Sequence, residues 1–244
     1  MPGRQATAKI IHVQPASQCE TCAVRRLCLP VGLGHEDLRI MDRVVHDTGC
    51  LAPGEALYRP GDAFRAVYAI KRGALKTYGL TSEGGEQITG FHLAGELVGL
   101  DAIDTNVHNC TAVALERTEY CELPYDQLEA ICATVPGLQH EFSRIMSREI
   151  EQGGRMLLMI GRMNAAQRLA CFLQNLYHRM QRLGRVEPCL ELPMSREDIG
   201  NYLGITLETV SRRLSEFQQQ GIIQVNRREI RILDMDGLVA RCAQ

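Results

Sequence analysis

The sequence predicts an α+β chain: an all-β barrel or jelly roll first, then a long helix, then a small helical unit closed by a β-hairpin. Three observations carry that expectation. From about Leu38 to Tyr125, alternating or apolar runs such as Ala66-Val-Tyr-Ala-Ile70 and Ala112-Val-Ala-Leu115 are separated by turn signals. These fall at Pro53-Gly54-Glu55, Pro60-Gly61-Asp62, Arg72-Gly73, Glu83-Gly84-Gly85-Glu86 and Ala94-Gly95-Glu96, and such regular punctuation marks short strands of a closed β structure. From Pro136 onward the period changes to that of a helix. Near the C-terminus two short helical patterns flank a glycine, and a hairpin pattern follows.

Composition sets the outer bounds. A chain of 244 residues, 45% hydrophobic and 23% charged, suits a soluble protein of two domains or one large one. No apolar run approaches the length of a membrane span, and Met1-Pro-Gly-Arg-Gln-Ala-Thr7 lacks the apolar core of a signal peptide. A cytoplasmic location is expected, where ten cysteines read as reduced thiols and metal ligands rather than disulfides. The net charge of -2 names no partner, but residues 161–231 carry 11 arginines against seven acids, a surplus of four. That bias permits a nucleic-acid partner without requiring one.

The densest chemistry lies in Cys19-Glu-Thr-Cys22-Ala-Val-Arg-Arg-Leu-Cys28-Leu-Pro30. Three thiols this close in an irregular segment cannot build a core, but they can converge on zinc or an iron–sulfur cluster, and either needs a fourth ligand. Spacing alone leaves Cys110, Cys121 and Cys132 open for it. Cys50, Cys171, Cys189 and Cys242 lack clustered neighbours and read as small buried hydrophobes or inert thiols.

Between Pro136 and Gly161, Met146, Ile150, Gly153, Leu157 and Ile160 follow the four-three alternation of a two-stranded coiled coil, which predicts a dimer helix. The competing reading is a helix packed on its own β domain. Asn164 then caps a helix whose buried face is Leu169, Phe172, Leu173, Leu176 and Met180, ending at Gly184.

Ser195 and Asp198 form a capping box, and Ile199 and Leu203 bury the short helix they open. Gly204 supplies a turn, Thr206 caps the next helix, and Val210, Leu214 and Phe217 face inward. Helix, glycine turn and helix at this spacing give helix-turn-helix geometry, and the hairpin Gly221–Val225 with Glu229–Ile232 adds a basic wing. Glu208, Thr209, Ser211, Arg212 and Arg213 are left outside. Glu208, Ser211 and Arg212 suit base contact, since arginine reads guanine, glutamate reads cytosine and serine can take either role. Arg213 is expected to meet phosphate or its own fold. A charged stripe is usually only a solvated face; its place on the second helix decides otherwise here.

With these residues in view the chain resembles the CRP–FNR superfamily of transcription regulators, and within it the oxygen-sensing FNR type. The resemblance runs from Cys19 to about Leu238. It is most specific in the cysteine triplet, in Gln87-Ile-Thr-Gly-Phe-His-Leu-Ala-Gly-Glu-Leu-Val-Gly99, and in Asp198-Ile-Gly-Asn-Tyr-Leu-Gly-Ile-Thr-Leu-Glu-Thr-Val-Ser-Arg212. It implies a cluster-binding segment over 1–30, a β-roll (jelly-roll) sensor domain over 31–133, a dimerisation helix over 134–163 and a winged helix-turn-helix domain over 164–244. It further implies a [4Fe–4S] cluster on Cys19, Cys22, Cys28 and Cys121, a homodimer, and binding to double-stranded DNA at TTGAT-N4-ATCAA-like palindromes. RNA polymerase is the implied partner. The alternative is a regulator of the same fold whose cysteines hold zinc or respond to thiol redox.

No acid–base pair, nucleophile–base pair or phosphate loop argues for an enzyme. His35, His46, His92, His108, His140 and His178 are scattered and read as surface or core histidines. Cyclic-nucleotide relatives clamp ribose and phosphate with a glutamate and an arginine–serine or arginine–threonine pair. Here Glu96 remains but the pair aligns with Cys110-Thr111, so no cyclic nucleotide is expected, for want of the phosphate's counter-charge. The chain also departs from relatives that carry an aspartate in the dimer seam. That position is Gly153, followed by Gly154, so helix flexibility is expected to replace charge repulsion in disfavouring the cluster-free dimer; close backbone packing is the other reading.

Overall fold

The computed structural model describes residues 19–29, 31–45, 47–184 and 189–243. Most of the segment expected over 1–30, including Met1-Pro-Gly-Arg-Gln-Ala-Thr7, lies outside these residues, as do Pro30 and His46.

After the cysteine turns comes α1 (His35–Asp42), and then β1 (Asp47–Leu51), β2 (Ala56–Tyr58), β3 (Ala66–Arg72), β4 (Ala74–Leu80), β5 (Glu86–Leu93), β6 (Leu97–Val98), β7 (Thr111–Ala114) and β8 (Thr118–Pro124). They form two four-stranded antiparallel sheets, β1-β8-β3-β6 and β2-β7-β4-β5, which pack as a β-roll over Leu51, Ile70, Leu75, Val98 and Ala114. The strands expected from Leu38 therefore begin later. Leu38 and Met41, three residues apart, are both buried on one face of α1, and Glu36 and Asp37 favour its N-terminal turn.

Two helices leave the roll, α2 (Tyr125–Thr134) and α3 (Pro136–Arg162). Proline at the first position suits α3, because that N–H has no helical partner. The helix is continuous through Gly153-Gly154, and only Leu138 near its start is fully buried. Asn164 and Gln167 form a reciprocal capping box that opens α4 (Ala165–Arg182), whose face Leu169, Phe172, Leu173, Leu176 and Met180 is buried as expected.

The remaining elements are β9 (Cys189–Glu191), α5 (Arg196–Leu203), α6 (Leu207–Gln219), β10 (Ile223–Asn226), β11 (Glu229–Ile232) and α7 (Met235–Ala243). The Ser195–Asp198 box opens α5, and Gly204 closes it in the left-handed region at φ 63°. Thr206 accepts from the Thr209 N–H to open α6. Gly200 is required by contact: a β-carbon there would sit 2.7 Å from the Ile205 carbonyl oxygen. The wing has three strands, β10-β11-β9. The sequence did not disclose β9, at three residues, or α7, whose Leu238 is fully buried.

One apolar core joins the halves. Ala74, Ile88, Phe91 and Leu93 of β4 and β5 pack with the buried faces of α4, α5 and α6. Polar contacts fix the docking. Asn201 accepts from the Ile88 N–H at 2.6 Å and donates to the Glu86 carbonyl at 2.7 Å. Lys76 donates to Asp198 at 2.6 Å. Arg179 of α4 grips Glu96, just after β5, with Nε to Oε1 at 2.9 Å and Nη2 to Oε2, and it also donates to the Phe91 carbonyl. Burial alone would raise the Glu96 pKa. The Arg179 charge and hydrogen bonds, with the Leu93 N–H, outweigh it and hold the carboxyl below its usual range. The pair therefore stabilises the fold above the ordinary carboxylate range, and its contribution is lost as pH falls through the depressed pKa.

Breaking a buried pair from one side leaves a charge without its partner, at a cost of about 3–5 kcal/mol. The Glu96 side chain retains 29% exposure, so the lower end applies. Arg179→Met should lower the unfolding free energy by about 3 kcal/mol in urea titration at pH 7. Adding Glu96→Gln should recover part of the loss; a double variant as unstable as the sum of the singles would show that the ion pair is not the source.

Candidate functional site

The cysteine segment is a run of turns. The Arg25 N–H donates to the Cys22 carbonyl, and the Leu27 and Cys28 N–H groups donate to that of Val24. Buried Leu29 anchors it in an apolar core with Met41, Ala69 and Leu123, buried Val24 lies on the cavity wall, and Asp42 of α1 accepts from the Cys19 N–H at 3.1 Å. The anchoring turns Cys19, Cys22 and Cys28 toward β8, where Cys121 lies opposite Ala69 of β3. All four thiols line one cavity. Its wall is otherwise Val24, Leu29, Met41, Val45, Ala69, Ile70 and Leu123, with Arg25 and Lys71 as its cations.

Protons are held tightly there. Burial pushes the Cys28 thiol up to about 12, with Cys121 and Cys22 adding to the rise. Cys19 is raised further, by burial and then by Asp42, and Cys121 is raised by burial despite the nearby Lys71 charge. Binding a soft metal group must displace these protons. The donor set fits an iron–sulfur cluster: four thiolates can serve as its ligands, and the two cations offset the negative charge of a thiolate-ligated cluster. Four thiolates are also the donor set of a structural zinc site, with zinc–sulfur bonds of about 2.3 Å. Among the described residues no group of three or more His, Cys, Asp or Glu side chains is placed ready to hold a metal ion.

The other cysteines lie elsewhere. Cys110 is buried beside Tyr58 and Ala112, its thiol 3.6 Å from Asp101, and Cys132 is buried on α2 without lining the cavity. Cys50 is exposed rather than buried, because its side of β1 faces solvent. Cys189 is half-buried, its thiol donating to Glu229 at 2.7 Å. Cys171 and Cys242, expected as inert thiols, are joined as a disulfide, because α7 folds back along α4 and brings their Cα atoms within 5.0 Å. The sequence did not signal a pairing across 71 residues.

Glu96 is engaged by Arg179. Cys110 lies against Asp101, which also accepts from the Asn109 N–H. Buried His108 stacks on Tyr58 with ring centroids 3.7 Å apart.

On α6, Glu208 and Arg212 are exposed and Thr209, Ser211 and Arg213 are half-buried. The backbone N–H of Glu208 and the Thr206 hydroxyl hold the Glu208 carboxyl below its usual range, so it stays ionised. Arg196 of α5 reaches Ser211 at 3.4 Å, and Thr209 is bonded to the Thr206 cap. Arg213 turns to its own helix and pairs with Glu216. Exposed Arg227, Arg228 and Arg231 lie on the wing. On α3, Ile150 and Leu157 are 76% and 75% exposed, Ile160 is exposed, Met146 is half-buried, and a β-carbon at Gly153 would meet nothing.

Residues 50–135 match the cyclic nucleotide-binding domain family and residues 167–241 the Crp-like helix-turn-helix domain family. The class is thus a regulator that joins a nucleotide-sensor type of β-roll to a DNA-binding helix-turn-helix. More narrowly, the chain belongs to the FNR/Anr family of transcriptional regulators, which are not enzymes. It is 44% identical to the transcriptional activator protein FnrA of Stutzerimonas stutzeri over 94% of each chain. Against the fumarate and nitrate reduction regulatory protein of Yersinia pestis it is 40% identical, over 98% of this chain and 95% of that one. The solved structure of FixK2 from Bradyrhizobium japonicum superposes with a TM-score of 0.74 at 31% identity, over 81% of this chain and 98% of that one. No helix among the described residues is long and apolar enough to cross a membrane.

Because thiolate is the reacting form, Cys28 in folded, metal-free protein should be alkylated by iodoacetamide at pH 8 at least about tenfold more slowly than exposed Cys50. Denaturant should equalise the two. Equal rates in the folded protein, read by peptide mass spectrometry, would contradict the buried cavity.

Proposed function

We propose that this protein is an oxygen-sensing transcriptional activator in which a [4Fe–4S] cluster, held by Cys19, Cys22, Cys28 and Cys121, promotes dimerisation and DNA binding under anaerobic conditions. The observation that carries this reading is the meeting of three clustered cysteines with Cys121, distant in sequence, on one apolar cavity flanked by two cations. When bound, the cluster supplies the oxygen-sensitive redox chemistry. The chain's own residues do the rest. Val24, Leu29 and Met41 exclude water from the sulfurs, while Arg25 and Lys71 offset their charge.

Contact from the cavity to the DNA-binding half is short. Leu27, between Cys22 and Cys28, packs so closely on Gly95 that a β-carbon there would lie 2.7 Å from its own. The next residue is Glu96, which grips Arg179 of α4. Rearrangement of the cysteine turns therefore bears on the residue that docks α4. The exposed row Ile150, Leu157 and Ile160, with Met146 and Gly153, forms the dimer seam on α3. An apolar stripe of this kind is covered by a second copy in a two-stranded coil. Gly153 places no charge in that seam, and flexibility at Gly153-Gly154 takes over the role of repulsion in cluster-free protein.

Two recognition helices related by the dimer axis read half-sites one helical turn apart, resembling TTGAT and ATCAA. Glu208, Ser211 and Arg212 contact bases and Thr209 supports the phosphate side, while Arg213 stays with Glu216 of its own helix. The family also implies contact with RNA polymerase at the promoter.

Anaerobic assembly of Cys121→Ser should give protein lacking the brown visible absorbance of the wild type, while Cys110→Ser should retain it. The reverse pattern would remove Cys121 as the fourth ligand. Arg212→Ala should lose about 1–3 kcal/mol of affinity for the matched site and discriminate less at the guanine it reads. Equal weakening on all sequences would make Arg212 a phosphate contact.

A further inference from the structure

Cys171 and Cys242 are joined beside the junction between α3 and α4, and nothing in the cluster reading uses them. Cys171 lies on α4 and Cys242 in the last turn of α7, and both are half-buried, within reach of small thiols. The sulfur of Met163, the residue that ends α3, is 3.8 Å from Cys171 Sγ. Arg168 of α4 crosses the same junction, donating to the carbonyls of Ile160 and Met163, and its third bond reaches Leu203 at the end of α5. The pair thus sits where the exposed helix α3 meets the helix-turn-helix.

We propose that Cys171 and Cys242 form a reversible thiol–disulfide site, a second redox input separate from the four-cysteine cavity, which fastens α7 to α4 at this junction. A protein that works on DNA in a thiol-reducing compartment does not keep a disulfide as a permanent staple; a bond there forms when the thiol pool is oxidised. The oxidant class is a low-molecular-weight disulfide such as glutathione disulfide. The Cys242 thiolate attacks it, giving a mixed disulfide and releasing one glutathione thiolate. The Cys171 thiolate then attacks the Cys242 sulfur, closes the 171–242 bond and releases the second glutathione. The two thiol protons end on the two glutathiones, so one disulfide is reduced for each one formed. In the reduced form α7 is still held by apolar contacts such as Leu238, without the covalent link to α4. In the oxidised form it cannot separate from α4, and the core beneath both helices is stabilised.

The test uses full-length, cluster-loaded protein under argon, equilibrated in glutathione buffers from fully reduced to fully oxidised. It is then trapped with N-ethylmaleimide, and its peptides are mapped. Cys171 and Cys242 should lose alkylation together, with a linked 171–242 peptide appearing. The thermal midpoint by circular dichroism should rise by about 5 °C or more on oxidation. Cys242→Ser should abolish that rise while keeping the visible absorbance of the cluster. Continued alkylation of both thiols in excess glutathione disulfide would overturn the proposal. So would a bond that no glutathione buffer reduces, or a bond that leaves the midpoint unchanged. The wild-type titration needs no variant to fold. Visible absorbance is scored separately, so failure of the cluster reading and failure of this one are told apart.

Discussion

The ion pair between Glu96 and Arg179 is the constraint on which the arrangement of the two halves depends. Glu96 sits on a tight turn after β5, its neighbour Gly95 pressed against Leu27 of the cysteine segment. Arg179 projects from α4, whose buried face forms the centre of the C-terminal core. One carboxylate thus lies between the four-thiol cavity and the helix-turn-helix. Its surroundings make it costly to leave unpaired: burial raises its pKa, and the Arg179 guanidinium, then the Leu93 N–H and His92, bring it down again. Tyr58 packs with Cys110 and stacks on His108 in a small cluster of its own.

Arginine use follows the same division. The C-terminal half is arginine-rich, but Arg168, Arg179 and Arg213 are spent inside the fold, on helix ends, on Glu96 and on Glu216. Exposed Arg212, Arg227, Arg228 and Arg231 remain on α6 and the wing. A surplus of four charges read along the sequence is therefore smaller evidence for DNA than the few cations that the fold leaves outside.

Local signals were legible in the sequence. Asn164, Ser195, Gly204 and Thr206 each stand where a helix must start or stop, and the structure places a cap at each. The winged helix-turn-helix followed from them, and glycine turns disclosed the β-roll. What was not legible depends on long-range contact. Glu96 with Arg179 and Lys76 with Asp198 join residues 83 and 122 apart, and neither has a local pattern. The same holds for Cys171 with Cys242, where isolated cysteines gave no hint that α7 returns along α4. The cysteine triplet raises the expectation of a metal site, but spacing leaves three choices for the fourth ligand. Only the pairing of β8 with β3 brings Cys121, and not Cys110 or Cys132, to the same cavity.

The most direct measurement follows one sample of wild-type protein, assembled without oxygen and then opened to air. Visible absorbance, sedimentation mass and affinity for a TTGAT-N4-ATCAA duplex are read at each time point. If the four-cysteine cavity governs the molecule, absorbance, dimer fraction and DNA affinity should fall together. A protein that stays dimeric and keeps its DNA affinity after the absorbance has gone would contradict that control.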